Sequence, residues 1–99
     1  MKTVASVERE VKIPNKYGLH ARPAMQFVEL ANQYGSKVDV SNGTLSVDAK
    51  SIMSVMRLAG TKGTVLTISA DGDDAQGAVD ALVNLVAGGF GEMEDDEAT

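Results

Sequence analysis

The chain of 99 residues contains no cysteine and a single histidine. The lack of cysteine excludes disulfide bonds, thiol chemistry and cysteine-based metal sites, and a lone histidine argues against a zinc site within one chain. No apolar run approaches the roughly 20 residues of a membrane-spanning helix, and the N-terminal segment lacks the apolar centre of a secretion signal. We therefore expect a cytoplasmic protein that has no membrane insertion, no bound metal and no cofactor.

Positive charge is also scarce. The formal net charge is −5 at pH 7, whereas a free-standing nucleic-acid-binding protein is usually basic. We therefore expect no nucleic-acid partner, and any anion-binding site must be built locally from a few donors. The length and the 43% of hydrophobic residues suit one small globular domain.

Proline and glycine locate the first strand and the first helix. Apolar and polar residues alternate from about Ser6 to Ile13, which predicts a strand. Apolar residues then recur at helical spacing up to Gly35, a candidate C-cap. Because proline is tolerated only in the first turn of a helix, Pro23 predicts a helix start near Ala21. That start places His20 at or near the N-cap.

Residues 37–48 have the pattern of a β-hairpin. Asn42-Gly43 is a strong two-residue turn signal, because both residue types accept a positive φ. With that turn, Val40 lies opposite Leu45, and the apolar residues of both strands share one face. The turn and the hydrophobic pattern therefore agree on the register.

The second half of the chain adds two helices and a strand. Ser51 is the expected N-cap of a short amphipathic helix, which Gly60 is expected to end. A strand follows from about Thr64 to Ala70, and a third helix begins at Ala75 and ends at a pair of glycines. The order β-α-β-β-α-β-α predicts an α+β fold, in which a four-stranded antiparallel sheet carries three helices on one face.

The segment GLHARPA, residues 18–24, is the most informative stretch. It places the only imidazole at a helix N-terminus, where backbone N–H groups and the helix dipole favour an anion. Arg22 lies in the same turn and can donate to phosphate oxygens, and Gly18 leaves room for an incoming group. Since the positive helix end disfavours an imidazolium, His20 is predicted to be a neutral nucleophile for phosphoryl transfer. A lone loop histidine is more often a plain surface residue. The combination of His, Arg and Pro in this order at a helix start is, however, far rarer than any one of them.

The GLHARPA segment closely resembles the active-site motif of HPr, the histidine phosphocarrier of the phosphoenolpyruvate-dependent phosphotransferase system. The resemblance covers about residues 7–90 and includes KSIMSVM, residues 50–56, which is similar to the second HPr signature. The acidic residues 92–99 are expected from their composition to form a disordered, solvated tail. The resemblance implies an HPr-like open-faced β-sandwich over residues 1–91. It also implies that His20 is phosphorylated on Nδ1 and that Arg22 assists.

The resemblance implies partners as well. Enzyme I would donate the phosphoryl group and an EIIA domain would accept it, so the chain would be a carrier, and a monomer, rather than an independent multiple-turnover enzyme. Ser51 aligns with the serine that HPr kinase/phosphorylase modifies in some members, although serine before an apolar helical run is also an ordinary N-cap. The two roles are compatible, because a helix N-terminus accepts a phosphate.

An apolar docking surface is expected beside these residues. Ile52, Met53 and Met56 cannot all point into a core at helical spacing, and Met53 is expected to be the most exposed, with Leu19 as a neighbour near His20. Adaptable methionines suit a surface that docks several partners, although they also fill cores. By the resemblance, the short helix and the helix that starts at His20 form the docking face.

Two alternative hypotheses remain. In one, the chain is a regulatory binding module that acts through Ser51 phosphorylation and the apolar face. The Gly-Phe and acidic ending, residues 88–96, is similar to that of NPr, the nitrogen-branch paralogue, so both pathway branches stay open. In the other, the chain is a small hydrolase such as an acylphosphatase. That hydrolase requires a phosphate-cradling loop with Arg and Asn after the first strand, where this sequence has His20 and Arg22 at a helix start.

Overall fold

The computed structural model describes residues 6–58 and 60–91. Its strands are β1 Ser6–Lys12, β2 Lys37–Ser41, β3 Ser46–Asp48 and β4 Val65–Asp71. Its helices are α1 Ala21–Ala31, α2 Ile52–Met56 and α3 Ala75–Ala87, and a short 3-10 helix, Gly89–Gly91, follows α3. No helix within the described ranges is long and apolar enough to cross a membrane.

The four strands form one antiparallel sheet in the order β1-β4-β2-β3. In the interior strand β4, alternate residues Leu66, Ile68 and Ala70 are buried under the helices, whereas Thr67 and Ser69 between them are only half-buried. This period of two is the expected consequence of side chains that point to opposite faces of a strand. The predicted α+β fold, with three helices on one face of the sheet, is confirmed.

One apolar core fills the space between the sheet and the helices. α3 packs on β1 and β4, and α1 packs on α2 and α3. Because the helical spacing of their apolar residues turns one stripe of each helix toward the sheet, the long helices are buried on that side only. The buried members from α1 and α3 are Ala24, Phe27, Val28, Ala31, Ala75, Ala78, Val79, Leu82, Val83 and Val86.

The β2–β3 hairpin differs from the sequence prediction in its register. Val40 lies opposite Val47 rather than Leu45, so the loop has four residues instead of two. The Asn42 side chain explains the longer loop, because its Oδ1 accepts hydrogen bonds from the N–H groups of Thr44 (2.9 Å) and Leu45 (2.8 Å). The slip amounts to two residues, which leaves every side chain on its predicted face of the sheet.

The first helix ends earlier than its glycine signal indicates. Its C-cap is Asn32 rather than Gly35. The Asn32 amide donates to the backbone carbonyl of Val28 (2.9 Å) and to that of Lys50 (3.1 Å). This side chain therefore donates a hydrogen bond to a carbonyl of the last helical turn and connects the end of α1 to the segment before α2.

The short helix α2 also ends before its predicted glycine. Its C-cap is Arg57 rather than Gly60. Gly60 instead allows other residues to approach the backbone closely, since a Cβ at this position would lie 2.7 Å from Cδ1 of Ile13. The Gly60 carbonyl accepts the N–H of Leu19 (2.8 Å). The predicted acidic tail, residues 92–99, lies outside the described residues.

The carboxylate of Asp74, the N-cap residue of α3, ties that helix to the loop before β2. It accepts hydrogen bonds from the N–H groups of Gly35 (2.8 Å) and Ser36 (2.9 Å), and from the Ser36 hydroxyl. The Ser36 hydroxyl, followed by the Gly35 N–H, lowers the pKa of Asp74 from its ordinary value of 3.8, because these donors favour the charged carboxylate.

We expect Asp74→Asn to lower the free energy of unfolding at neutral pH. Since the pKa of Asp74 is lower in the folded state, the contribution of the carboxylate is complete above about pH 4 and is lost as the pH falls through the folded-state pKa. Urea unfolding followed by circular dichroism should show a wild-type advantage that is constant near neutrality and shrinks in acid. Asp73→Asn removes the same charge from the exposed neighbouring residue and is the control. An equal loss in that variant would contradict the assignment.

Candidate functional site

His20 is exposed and occupies the N-cap position of α1 in an extended conformation, with φ −82° and ψ −172°. Its carbonyl accepts the Ala24 N–H at 3.0 Å, which closes the first helical turn, and its side chain makes no capping hydrogen bond. Pro23 has no N–H, so Ala21 and Arg22 supply the N–H groups of the first turn that have no intrahelical partner. The predicted placement of the imidazole at a helix N-terminus is therefore found.

The loop before α1 is held against the chain at Gly60. Gly18 has a φ of +63°, and a Cβ there would lie 2.2 Å from the Gly60 carbonyl oxygen and 2.8 Å from Cα of Thr61. The space that this glycine leaves is therefore taken by backbone, which corrects the expectation that it receives an incoming group. Asn15, which is buried, donates from Nδ2 to the Gly18 carbonyl at 2.9 Å. Gly18 thus determines where the next residues of the loop stand.

Arg22 lies in the first turn of α1, two residues after His20, and is exposed. Within residues 6–58 and 60–91 its guanidinium forms no ion pair or hydrogen bond. A planar guanidinium with several N–H donors suits a phosphate, which it can bind through two oxygens at once. The cation predicted beside the histidine is therefore available to an anion at this helix end.

Tyr17, which the sequence pattern did not single out, stands beside the histidine, and Lys16 stands beside Tyr17. The ring centroids of Tyr17 and His20 are 6.1 Å apart, with the ring planes at 86° to each other. The Lys16 ammonium lies over the Tyr17 ring, 5.3 Å from its centroid. The sequence did contain a signal for Tyr17: it is an aromatic residue in a polar loop between Pro14 and Gly18. Nothing in the local hydrophobic pattern gives such a residue a place in the core.

Ser51 occupies the N-cap of α2, as predicted, and its Oγ accepts the N–H of Ser54 at 3.3 Å. The residue is half-buried. Within the same short segment, the Lys50 ammonium donates to the backbone carbonyl of Tyr34 at 2.7 Å. Ser51 therefore has a structural role in the unmodified protein, whether or not it is also modified.

Of the apolar residues predicted for the docking surface, those of α2 are exposed. Met53 is 78% exposed, against 41% for Met56 and 37% for Ile52. Leu19 is only 4% exposed, which corrects the expectation that its side chain lies on the surface beside His20. Its side chain is buried because the loop turns it inward against Gly60.

An apolar groove of about 310 Å³ lies between α1 and α2. Met25, which is 52% exposed and was not predicted, lines it together with Val28, Glu29 and Ile52. No group of three or more His, Cys, Asp or Glu residues in the described part of the chain could hold a metal ion.

Comparisons with known proteins agree with this geometry. The chain matches the family model described as the PTS HPr component phosphorylation site over residues 7–88. It is 47% identical over 88 residues to the phosphocarrier protein HPr of Cupriavidus necator, with 89% of this chain and 99% of that one covered. The chain thus matches this relative over nearly the whole length of that protein.

Solved structures give the same result. HPr of Thermoanaerobacter tengcongensis superimposes with a TM-score of 0.83 at 45% identity, covering 87% of this chain and 97% of that one. The catabolite repression protein Crh of Bacillus subtilis, which is described as a dimer with a swapped domain, has a TM-score of 0.67 at 41% identity, covering 84% and 95%.

We expect Gly18→Ala to destabilise the protein more than Gly43→Ala does. Both glycines have a positive φ, which costs an alanine about 1 kcal/mol, but only at Gly18 would a Cβ meet other atoms. The additional contact with Gly60 should cost about 1–3 kcal/mol more. Urea unfolding of both variants measures the difference. Equal losses would mean that the loop can move away from Gly60 without a penalty.

Proposed function

The chain belongs to the HPr family of phosphocarrier proteins, and on that premise we propose that it takes up a phosphoryl group on His20 from phospho-enzyme I and passes it to an EIIA domain of the phosphotransferase system. The observation that carries the proposal is the exposed imidazole at the N-terminus of α1. Its surroundings supply hydrogen-bond donors for an anion and leave the imidazole open to solvent. Both a donor and an acceptor protein can therefore reach the ring.

The transfer requires little bond chemistry from the protein itself. The lone pair of a His20 ring nitrogen, Nδ1 by resemblance to the family, attacks the phosphorus atom. As the N–P bond forms, the bond from phosphorus to the donor breaks and its electron pair stays with the donor. Transfer to the acceptor is a second step of the same kind: a nucleophilic atom of the acceptor attacks phosphorus, the N–P bond breaks, and its electron pair returns to the His20 nitrogen.

The phosphoryl oxygens would be stabilised by three groups of the first turn. The Ala21 and Arg22 N–H groups face the helix end and lack intrahelical partners, and the helix dipole adds to their attraction. The Arg22 guanidinium can add a charge-assisted hydrogen bond. This stabilisation is moderate because the site is open to solvent, which suits a carrier that must release its phosphoryl group.

A carrier of this kind takes up one phosphoryl group and must pass it to the acceptor before it can take up another. It is therefore not an independent multiple-turnover enzyme. We place it in the cytoplasm, where the phosphoenolpyruvate-dependent donor would act. We also expect it to work as a monomer, because each copy carries its own His20, Arg22 and docking face. Because a swapped dimer is described for Bacillus subtilis Crh, the oligomeric state in solution should be measured by light scattering.

The proposal predicts stoichiometric labelling of the wild type by enzyme I and phosphoenolpyruvate, with an acid-labile phosphate at His20. His20→Ala should take up none, because the chain has no other histidine. Mass spectrometry at neutral and acid pH measures both outcomes. An unlabelled wild type, or full labelling of His20→Ala, would rule the proposal out.

Arg22→Ala in the same assay tests the role of the guanidinium. A lost charge-assisted hydrogen bond should slow uptake about tenfold or more, while unfolding in urea stays close to wild type. Lys37→Ala removes the same charge from an exposed position on β2 and is the control. Equal rates for Arg22→Ala and Lys37→Ala would remove the proposed role of Arg22.

A second candidate function is regulation through Ser51. A phosphate on Ser51 Oγ, added by an HPr kinase/phosphorylase, would stand at the start of α2, directly before the exposed Ile52 and Met53. A helix N-terminus accepts the added charge, so the fold would persist while the apolar face gains a dianion. That change would repel an acidic partner or attract a basic one, and a regulatory partner could bind there without using His20.

We expect Ser51→Asp to slow phosphoryl uptake from enzyme I by about tenfold, because it places a negative charge beside the docking face. Ser46→Asp puts the same charge on an exposed residue of β3 and should have little effect. A regulatory partner, if present, should still bind His20→Ala and should lose Met53→Asp. Equal uptake by both aspartate variants would contradict the regulatory role of Ser51.

A further inference from the structure

Two side chains of the loop before α1 meet outside the core. Tyr17 is 60% exposed and His20 is exposed, yet their ring centroids lie 6.1 Å apart with the planes nearly perpendicular. Aromatic rings favour this T-shaped arrangement, because the positive edge of one ring meets the negative face of the other. The contact therefore favours one orientation of the imidazole over the others open to an exposed side chain.

The backbone between the two rings is firmly held. Gly18 and Leu19 are both buried, and the Leu19 N–H donates to the Gly60 carbonyl at 2.8 Å. The Gly18 N–H donates to the Asn15 carbonyl at 3.2 Å. Because this stretch cannot shift freely, the positions of the Cα atoms of Tyr17 and His20 are set by the fold, and the contact between their rings acts on the side-chain torsions.

Tyr17 is itself ordered by a neighbouring charge. The Lys16 ammonium lies over its ring, 5.3 Å from the centroid, within the usual range of a cation–π contact. The three side chains thus form a row on the surface, in which the lysine contacts the tyrosine and the tyrosine contacts the histidine. Both contacts leave the imidazole exposed to solvent.

We propose that Tyr17 is a positioning residue, which holds the His20 imidazole in the orientation from which it takes up a phosphoryl group. The proposal rests on the function proposed above for His20. Attack on phosphorus needs the ring nitrogen aligned with the bond that breaks, and a freely rotating imidazole spends little time in that alignment. The side chain makes no capping hydrogen bond with α1, so the tyrosine adds a constraint that the helix does not supply.

The test compares Tyr17→Leu with Tyr17→Phe. Leucine removes the ring, whereas phenylalanine keeps it and removes only the hydroxyl. Tyr17→Leu should lower the rate of phosphoryl uptake at saturating phospho-enzyme I about three- to tenfold, with the half-saturating concentration unchanged. Tyr17→Phe should remain within about twofold of wild type. A wild-type rate in Tyr17→Leu, or an effect confined to the half-saturating concentration, would overturn the proposal, the latter because it marks a contact with the donor.

A second readout does not depend on phosphoryl transfer. In the unphosphorylated protein, the NMR signals of the His20 ring protons should shift in Tyr17→Leu and stay near their wild-type positions in Tyr17→Phe, because ring currents of the neighbour act on them. Unshifted signals in Tyr17→Leu would overturn the proposal even if transfer were slow. An unlabelled wild type would instead refute the proposed function of His20, while the NMR comparison still decides whether the Tyr17 ring contacts the imidazole.

Discussion

The close approach of Gly18 to the Gly60 carbonyl is the constraint on which the site depends. No side chain fits between these two backbone segments, and the hydrogen bond from the Leu19 N–H to the same carbonyl fixes their relative position. Since His20 follows immediately, the position of its backbone is set by packing between these two segments. The His20 side chain can therefore stay exposed while its anchor is buried, as the proposed carrier function requires.

This arrangement was only partly predictable from sequence. Pro23 defined the start of α1, and with it the position of His20, because a proline ring is excluded from the interior of a helix. The order of strands and helices along the chain followed from hydrophobic periodicity and turn signals. The residues that depended on distant contacts were not predictable: Gly18 reads as a turn glycine until Gly60 is seen against it, and Leu19 reads as an exposed neighbour of His20 until the loop turns it inward.

The same limit explains the errors at the ends of elements. Two asparagine side chains account for two of these differences between prediction and structure. Asn42 lengthens the β2–β3 loop, and Asn32 ends α1. An asparagine amide competes with backbone hydrogen bonds, and which partner it takes depends on what the fold places nearby. Glycine signals alone therefore located the turns but not their lengths. The buried faces were correct because a slip of two residues preserves the alternation of a strand.

The two N-cap residues His20 and Ser51 differ in what an added phosphate would change. His20 begins α1 without a capping bond from its side chain, so a phosphoryl group on the ring removes no hydrogen bond that stabilises the helix. Ser51 begins α2 with its Oγ accepting the Ser54 N–H, and α2 has only five residues. A phosphate added to Ser51 would take over that capping role through its own oxygens, and its charge would lie next to the exposed methionines of α2. On the proposed function, modification of the histidine would leave the cap of α1 as it is, whereas modification of the serine would act on the helix that carries the exposed Met53 and Met56.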